Sequence, residues 1–244
     1  MYQPRPIVIV GLGEIGQLLA GGFLKTGYPV YPVNRGESLN QWHSECFDPE
    51  LVVLAVGEKD LPTALSAIPN RFKDRVLLLQ NELLPTDWER HGIFDPTVLI
   101  VWLDKKKGRP SVSVLPNRVG GLHAPLVVNA FKALDIPCFA IEASEIPKEL
   151  VVKNLYILTI NITGLVVGGT VETLWNEHRG LALEVADEVM ALQFHRLGYS
   201  LDRDELMAGL VEGFEGDWQH ICTGRSAPER LRRNLAYAKT AGIH

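Results

Sequence analysis

One stretch constrains this chain more than any other: Ile7-Val8-Ile9-Val10 running into Gly11-Leu12-Gly13-Glu14-Ile15-Gly16. An aliphatic run enters a Gly-x-Gly-x-x-Gly turn, and an apolar-periodic segment (Ile15, Leu18, Leu19, Phe23) leaves it. Glycines alone are unspecific; strand, glycine turn and helix in that order make a dinucleotide-binding fingerprint. Gly11 permits the tight turn, Gly13 lets a pyrophosphate approach the backbone, and Gly16 lets helix and strand pack closely. The free N–H groups from Leu12 to Gly16 open the helix and suit phosphate oxygens.

The next strand candidate, Tyr28 to Val33, runs into Asn34-Arg35-Gly36. Enzymes that use NAD usually carry a carboxylate there for the ribose 2′-hydroxyl. A carboxylate would repel a 2′-phosphate, whereas Arg35 can pair with one through charge-assisted hydrogen bonds, and Asn34 adds a neutral partner. The expected cofactor is NADP(H), with Arg35 as a solvated loop residue the alternative.

The 244 residues exceed one mononucleotide-binding unit, so one large or two modest domains are expected. A net charge of −5 without a basic stripe argues against capture of nucleic acid or an anionic membrane. Cys46, Cys138 and Cys222 are widely spaced and odd in number, which suits free thiols in a reducing, cytoplasmic setting rather than a disulfide framework. With the first strand candidate at Ile7, no signal peptide is expected. The uncharged stretch between Lys153 and Glu172 is close to a spanning length, but its asparagines, threonines and glycines make a buried core helix the expectation. His123 and His220 lack ligand spacing, so no metal site is expected. Lys105-Lys106-Lys107-Gly108-Arg109 reads as a solvated loop tip, and Arg230, Arg232 and Arg233 as an exposed helix face.

Short unbroken aliphatic runs punctuate the first part of the chain: Ile7–Val10, Val30–Val33, Leu51–Val56, Val76–Leu79, Val98–Leu103, Val112–Leu115 and Cys138–Ile141. Such runs suit parallel strands buried on both faces. Helices are expected over Gly16–Lys25, Asp60–Ile68 and Ala124–Ala133. The result is an α/β, Rossmann-like doubly wound sheet over residues 1–145. From residue 146 to 244 a smaller, all-helical domain is expected, with helices at Lys148–Val167, Leu181–Leu197, Arg203–Glu212 and Pro228–Ala241, the second closed by Gly198.

Lys153, Ile157 and Asn161 recur at i, i+4 and i+8 on the first of these helices, about 12 Å end to end. A lysine in apolar surroundings is biased toward giving up its proton, which carbonyl reduction needs once hydride has created an alkoxide. A solvated or salt-bridged lysine is the alternative. Asn81 follows the Val76–Leu79 run, at the strand edge where open α/β sheets bind ligands, although turn asparagines are as common.

The glycine loop with Asn34-Arg35, the strand ending in Gln80-Asn81, the segment Ala143–Pro147, Lys153 with Asn161 eight positions on, Glu188 leading to Leu197-Gly198, and Gly224-Arg225-Ser226 before Glu229 occur in one order. In that order they resemble the ketopantoate reductase (2-dehydropantoate 2-reductase) family, as a divergent member. The resemblance implies an N-terminal Rossmann domain, a helical C-terminal domain, an active cleft between them, and NADPH-dependent reduction of a small branched 2-keto acid. It implies Lys153 as proton donor, Asn81 near the nicotinamide, Asn161 on the substrate hydroxyl and Glu229 as the active-site glutamate. The departures are Ile157 for an asparagine, Gly57 for a lysine (with Lys59 nearby) and Gly216 for a serine. Glu229 fits the Gly-Arg-x-x-Glu pattern only with one inserted residue. They fall on groups that would hold substrate, so a non-catalytic NADP(H)-binding protein is the rival expectation. A homodimer is expected to cover the apolar helical domain.

Overall fold

The computed structural model describes residues 4–34, 37, 48–104 and 112–243. The chain divides into two compact units, Met1–Ile146 and Pro147–His244.

The first unit alternates strands and helices: β1 (Ile7–Val10), α1 (Glu14–Lys25), β2 (Val30–Val33), β3 (Leu51–Leu54), α2 (Leu61–Ser66) and β4 (Val76–Leu78). These are followed by α3 (Pro85–Glu89), β5 (Thr97–Ile100), β6 (Leu103–Asp104), β7 (Val112–Ser113), β8 (Asn117–Gly120), α4 (Ala124–Lys132) and β9 (Cys138–Ile141). Among the described residues seven strands form one sheet in the order β2-β1-β3-β4-β5-β8-β9. From β2 to β5 neighbours run parallel; β8 is antiparallel to β5 and parallel to β9. The unbroken aliphatic runs of β1, β3, β4 and β5 are buried almost throughout, as strands covered on both faces must be. β2 is an edge strand with Tyr31 and Pro32 exposed, and an edge accommodates a proline that cannot donate to a ladder. The core joins Ile7, Ile9, Leu51 and Val53 from the sheet to Leu19 and Phe23 of α1 and Val127 and Phe131 of α4. Gly22 makes that packing possible, because a Cβ there would stand 2.7 Å from the Ala130 carbonyl oxygen.

The sheet departs from the sequence reading at one end. The expected Val98–Leu103 strand stops at Ile100, and Leu103–Asp104 pairs instead with Val112–Ser113 in a separate ribbon. The sixth strand of the main sheet is β8, whose Asn117-Arg118-Val119-Gly120 holds one large apolar residue and carries no hydrophobic signal. Its Asn117 is fully buried; the side chain accepts from Trp102 N (2.8 Å) and donates to Pro137 O (2.9 Å). That amide satisfies backbone groups at a strand entrance, which is why a polar residue belongs there. α3 was also unexpected.

The second unit is helical: α5 (Ile146–Val167), α6 (Val171–Glu177), α7 (Arg179–Leu197), α8 (Arg203–Gly216) and α9 (Ala227–Ala241). α6 was not expected; Thr170 caps it by accepting from Thr173 N. Gly198 ends α7 in a left-handed conformation at φ 80°. α5 is apolar all round and is a core helix: 67% of its most apolar window is buried inside the protein.

α5 and α8 interlock. Gly209 and Gly213, four residues apart on α8, receive Val152 and Tyr156, four apart on α5. A Cβ on Gly213 would lie 2.7 Å from Cδ2 of the buried Tyr156 ring, which Phe214 and His220 also flank at 6.0 and 6.3 Å. Gly213→Ala gains about 1 kcal/mol of helix propensity but incurs an overpacking cost of about 1–3 kcal/mol against a rigid ring. It is expected to lower the urea midpoint, whereas Gly180→Ala, with open space around it, is not. Equilibrium unfolding of both variants checks this.

Candidate active site

The chain leaves β1, forms β2 on one side and returns to form β3 on the other, so the strand order reverses beside β1. Open α/β sheets bind ligands at such a reversal, at the carboxyl ends of the strands. Gly11 sits there at φ +91°, a conformation L side chains rarely adopt, and a Cβ would come within 2.8 Å of the Ala55 carbonyl oxygen. Its N–H donates to Val33 O at 2.9 Å, and Val10 O accepts from Ala55 N at 2.8 Å, joining three strand ends. A Cβ on Gly16 would overlap the Gly11 carbonyl oxygen and stand 3.3 Å from Ala55 Cβ. Around Gly13, by contrast, a Cβ would meet nothing within 4 Å. Gly13 and Glu14 are exposed, while Leu12 and Ile15 pack against the sheet core, so Leu12–Gly16 offers its backbone at the start of α1. The glycines therefore fit a pyrophosphate: two are required by the turn itself, and the third faces open space above a helix N-terminus.

The same carboxyl edge carries the other candidates of this unit. Asn34 follows β2, and its N–H donates to the Glu37 carboxylate at 2.8 Å. Arg35 lies outside the described residues, as does the Lys105–Arg109 cluster. Asn81, half-buried beyond β4, donates from Nδ2 to Glu58 Oε1 at 3.2 Å. Beside it Gln80 is structural, its Nε2 reaching Leu54 O (2.5 Å) and Val56 O (3.1 Å) and tying the ends of β3 and β4 together. Glu37 and Glu58 were missed in the sequence. Both sit in the loop just past a strand end, where polar residues are ordinary.

In the second unit α5 carries Lys153, half-buried, with Nζ 5.3 Å from the centre of the Tyr156 ring. Ile157, one turn on, is half-buried and Asn161 is buried. Asn161 Nδ2 lies 3.5 Å from Cys222 O, and its Oδ1 accepts from Arg230 Nη1 at 2.8 Å. Glu229 does not join this group: it is exposed and paired with Arg232. Arg230 does, and the expectation that it belongs to an exposed face is corrected, since it is only 7% exposed. The signal was present, because Ala227, Arg230 and Asn234 fall at i, i+3 and i+7 and share the buried face of α9.

Burial pushes the Cys222 thiol up to about 11 and that of Cys138 to about 12, so neither supplies a thiolate near neutral pH. Among the described residues no group of three His, Cys, Asp or Glu is placed to hold a metal ion.

Comparison with solved structures bears on this arrangement. A 2-dehydropantoate 2-reductase from Methylococcus capsulatus superposes with a TM-score of 0.69 at 14% identity, covering 98% of this chain and 92% of that one. The fold is that of the ketopantoate reductases. A D-mandelate dehydrogenase solved with NADH gives a TM-score of 0.67 at 14% identity, covering 98% and 94%. A dimeric ketopantoate reductase from Staphylococcus aureus gives 0.63 at 12%, covering 98% and 93%. No family model matches the sequence, and no curated protein does. The ketopantoate reductase likeness therefore lies in the fold and in a few ordered motifs rather than in overall sequence.

Proposed function

We propose that the protein is a nicotinamide-dependent reductase of a small 2-keto acid, with NADPH as hydride donor. The observation that carries this reading is the glycine turn at the strand-order reversal, with Gly13 open and Asn81 on the same sheet edge. The ketopantoate reductase fold and the NADH-bound dehydrogenase among its neighbours support the same chemistry.

When bound, the reduced nicotinamide supplies the hydride. The residues of this chain do the rest: Leu12–Gly16 bind phosphates through backbone N–H groups, Asn34 and Arg35 receive the 2′-phosphate, and Asn81 orients the nicotinamide end. Lys153 donates its proton to the carbonyl oxygen as the carbonyl carbon is reduced, giving a 2-hydroxy acid. Asn161 serves the substrate, and Glu229, turned to solvent beside Arg232, is assigned no step. The first test is NADPH oxidation with a panel of 2-keto acids; no turnover with any of them overturns the reading.

Selection of the phosphorylated cofactor rests on Arg35, since the Glu37 carboxylate at Asn34 N disfavours a second anion. Arg35→Ala is expected to weaken NADPH binding by about tenfold or more, the value of one charge-assisted hydrogen bond, with NADH binding little changed. Calorimetry with both nucleotides checks it; equal losses for the two count against a 2′-phosphate contact.

A second reading, a cofactor-binding protein without turnover, is favoured by Ile157 in the Lys153–Asn161 row and by the outward Glu229. It requires NADPH binding with no oxidation by any keto acid. A homodimer belongs to the first reading: Val166 and Leu235 are 76% and 60% exposed on the helical unit, and the Staphylococcus aureus neighbour is dimeric. A monomeric mass by sedimentation at micromolar concentration would remove it.

A further inference from the structure

Two helices of the second unit bring matching apolar faces to one pocket. Val185, Val189 and Leu192 fall at i, i+4 and i+7 on α7, and Leu231, Leu235 and Ala238 repeat that spacing on α9. With Ile162 of α5 they line a space of about 380 Å³. That volume lies at the small end for ligand sites, about 300–1,000 Å³. The lining is aliphatic, with no aromatic ring among the described residues, and its polar members are Asn234, Glu188 and Lys239.

Asn234 is engaged within the fold: it is buried, and its Nδ2 donates to Arg230 O at 2.9 Å. Glu188 on α7 and Lys239 on α9 are exposed, and among the described residues neither side chain has a hydrogen-bond or ion-pair partner. A simple anion drawn to Lys239 meets the repulsion of Glu188, a simple cation meets the reverse, and a hydrocarbon answers neither charge. A zwitterion with an apolar body answers both. The absence of rings removes the stacking contacts that an aromatic body would use.

We propose that this pocket binds a free aliphatic α-amino acid. Its ammonium faces Glu188, its carboxylate faces Lys239, and its branched side chain lies among Val189, Leu192 and Leu235. The site is built from the helical unit alone and does not depend on the reductase reading.

Calorimetric titration of the whole chain with L-leucine tests this, with L-serine, isocaproate and isoamylamine as comparators. L-leucine is expected to bind about tenfold or more tighter than L-serine, the value of one buried leucine side chain. Isocaproate lacks the ammonium and isoamylamine the carboxylate; each should bind about two- to fivefold more weakly than L-leucine, as for an exposed ion pair. Glu188→Gln should erase the difference between L-leucine and isocaproate, and Lys239→Gln that between L-leucine and isoamylamine. Both change exposed side chains, so folding should survive. Ala238→Phe places a ring in the pocket and should abolish binding; if it does not fold, the two surface variants carry the test. Absence of heat with L-leucine at millimolar concentration overturns the proposal, as does equal affinity for L-leucine and either singly charged comparator. Unchanged binding by folded Ala238→Phe puts the amino acid elsewhere and overturns it too. A dimer in sedimentation that Leu235→Glu dissociates, with no heat from L-leucine, gives the pocket to a second copy of the chain instead.

Discussion

Lys153→Ala is expected to lower kcat for reduction of a 2-keto acid by about 10²–10⁴-fold, the range for removing a positioned proton donor. Hydride arriving at the carbonyl carbon leaves charge on oxygen, and without a nearby acid that charge must be met by water. The lysine is well placed to be specific: it is half-buried on a helix whose neighbouring positions, Val152 and Tyr156, are locked into α8. The substitution removes a flexible, partly exposed side chain, so folding should survive. NADPH should still raise the melting temperature, because ligand binding to the native state stabilises it whatever happens to chemistry. Stopped-flow measurement of NADPH oxidation, with thermal unfolding in parallel, separates the two. A variant that keeps full turnover removes Lys153 from the mechanism.

Gly16→Val is expected to cost about 100-fold or more in nucleotide affinity. A branched side chain at this position collides with the Gly11 carbonyl oxygen and presses on Ala55, so either the turn or α1 must move. Moving either misaligns the N–H groups proposed to face phosphate. Losing two charge-assisted hydrogen bonds of about 1.5–3 kcal/mol each already exceeds that factor, at about 1.4 kcal/mol per tenfold. Gly13→Ala makes the informative contrast. Its Cβ meets no protein atom within 4 Å, so the free protein should be as stable as before while affinity falls, because on the proposed reading the space filled is the ligand's. Calorimetric titration with NADPH, and unfolding of the two free variants, reads both effects. Equal affinity in the Gly13→Ala variant would move the pyrophosphate away from this turn.

The parts of the fold legible in the sequence were those where one physical signal acts alone. β1, β3 and β4 are buried on both faces and read as uninterrupted aliphatic runs, and Gly198 announces the end of α7 through its left-handed backbone. β8 was illegible because its decisive residue, Asn117, is polar and buried for the hydrogen bonds it makes to Trp102 and Pro137 rather than for its hydrophobicity. β6 was hidden inside a longer apolar run, since periodicity cannot say where a strand changes partners. In the candidate site the glycine turn was legible to the residue, for its geometry depends on absent side chains. Arg230 was legible only in part: an arginine beside Arg232 and Arg233 looks solvated, although its spacing from Ala227 and Asn234 on the buried face of α9 and its contact with Asn161 place it inward. Glu229 shows the converse, a motif match that faces water.

The paired notches of α8 have a bearing on chemistry that packing alone does not express. Successive residues on a helix are separated by about 100° around its axis. Val152 and Tyr156, seated against Gly209 and Gly213, fix the azimuth of α5, and with it the heading of Lys153 between them. Filling a notch would twist the shaft and swing the ammonium off its bearing while every reacting group stayed in the sequence. The steering of this candidate acid thus resides in two hydrogen atoms on another helix, and on the proposed reading a larger residue there is expected to cost turnover without touching any reacting group.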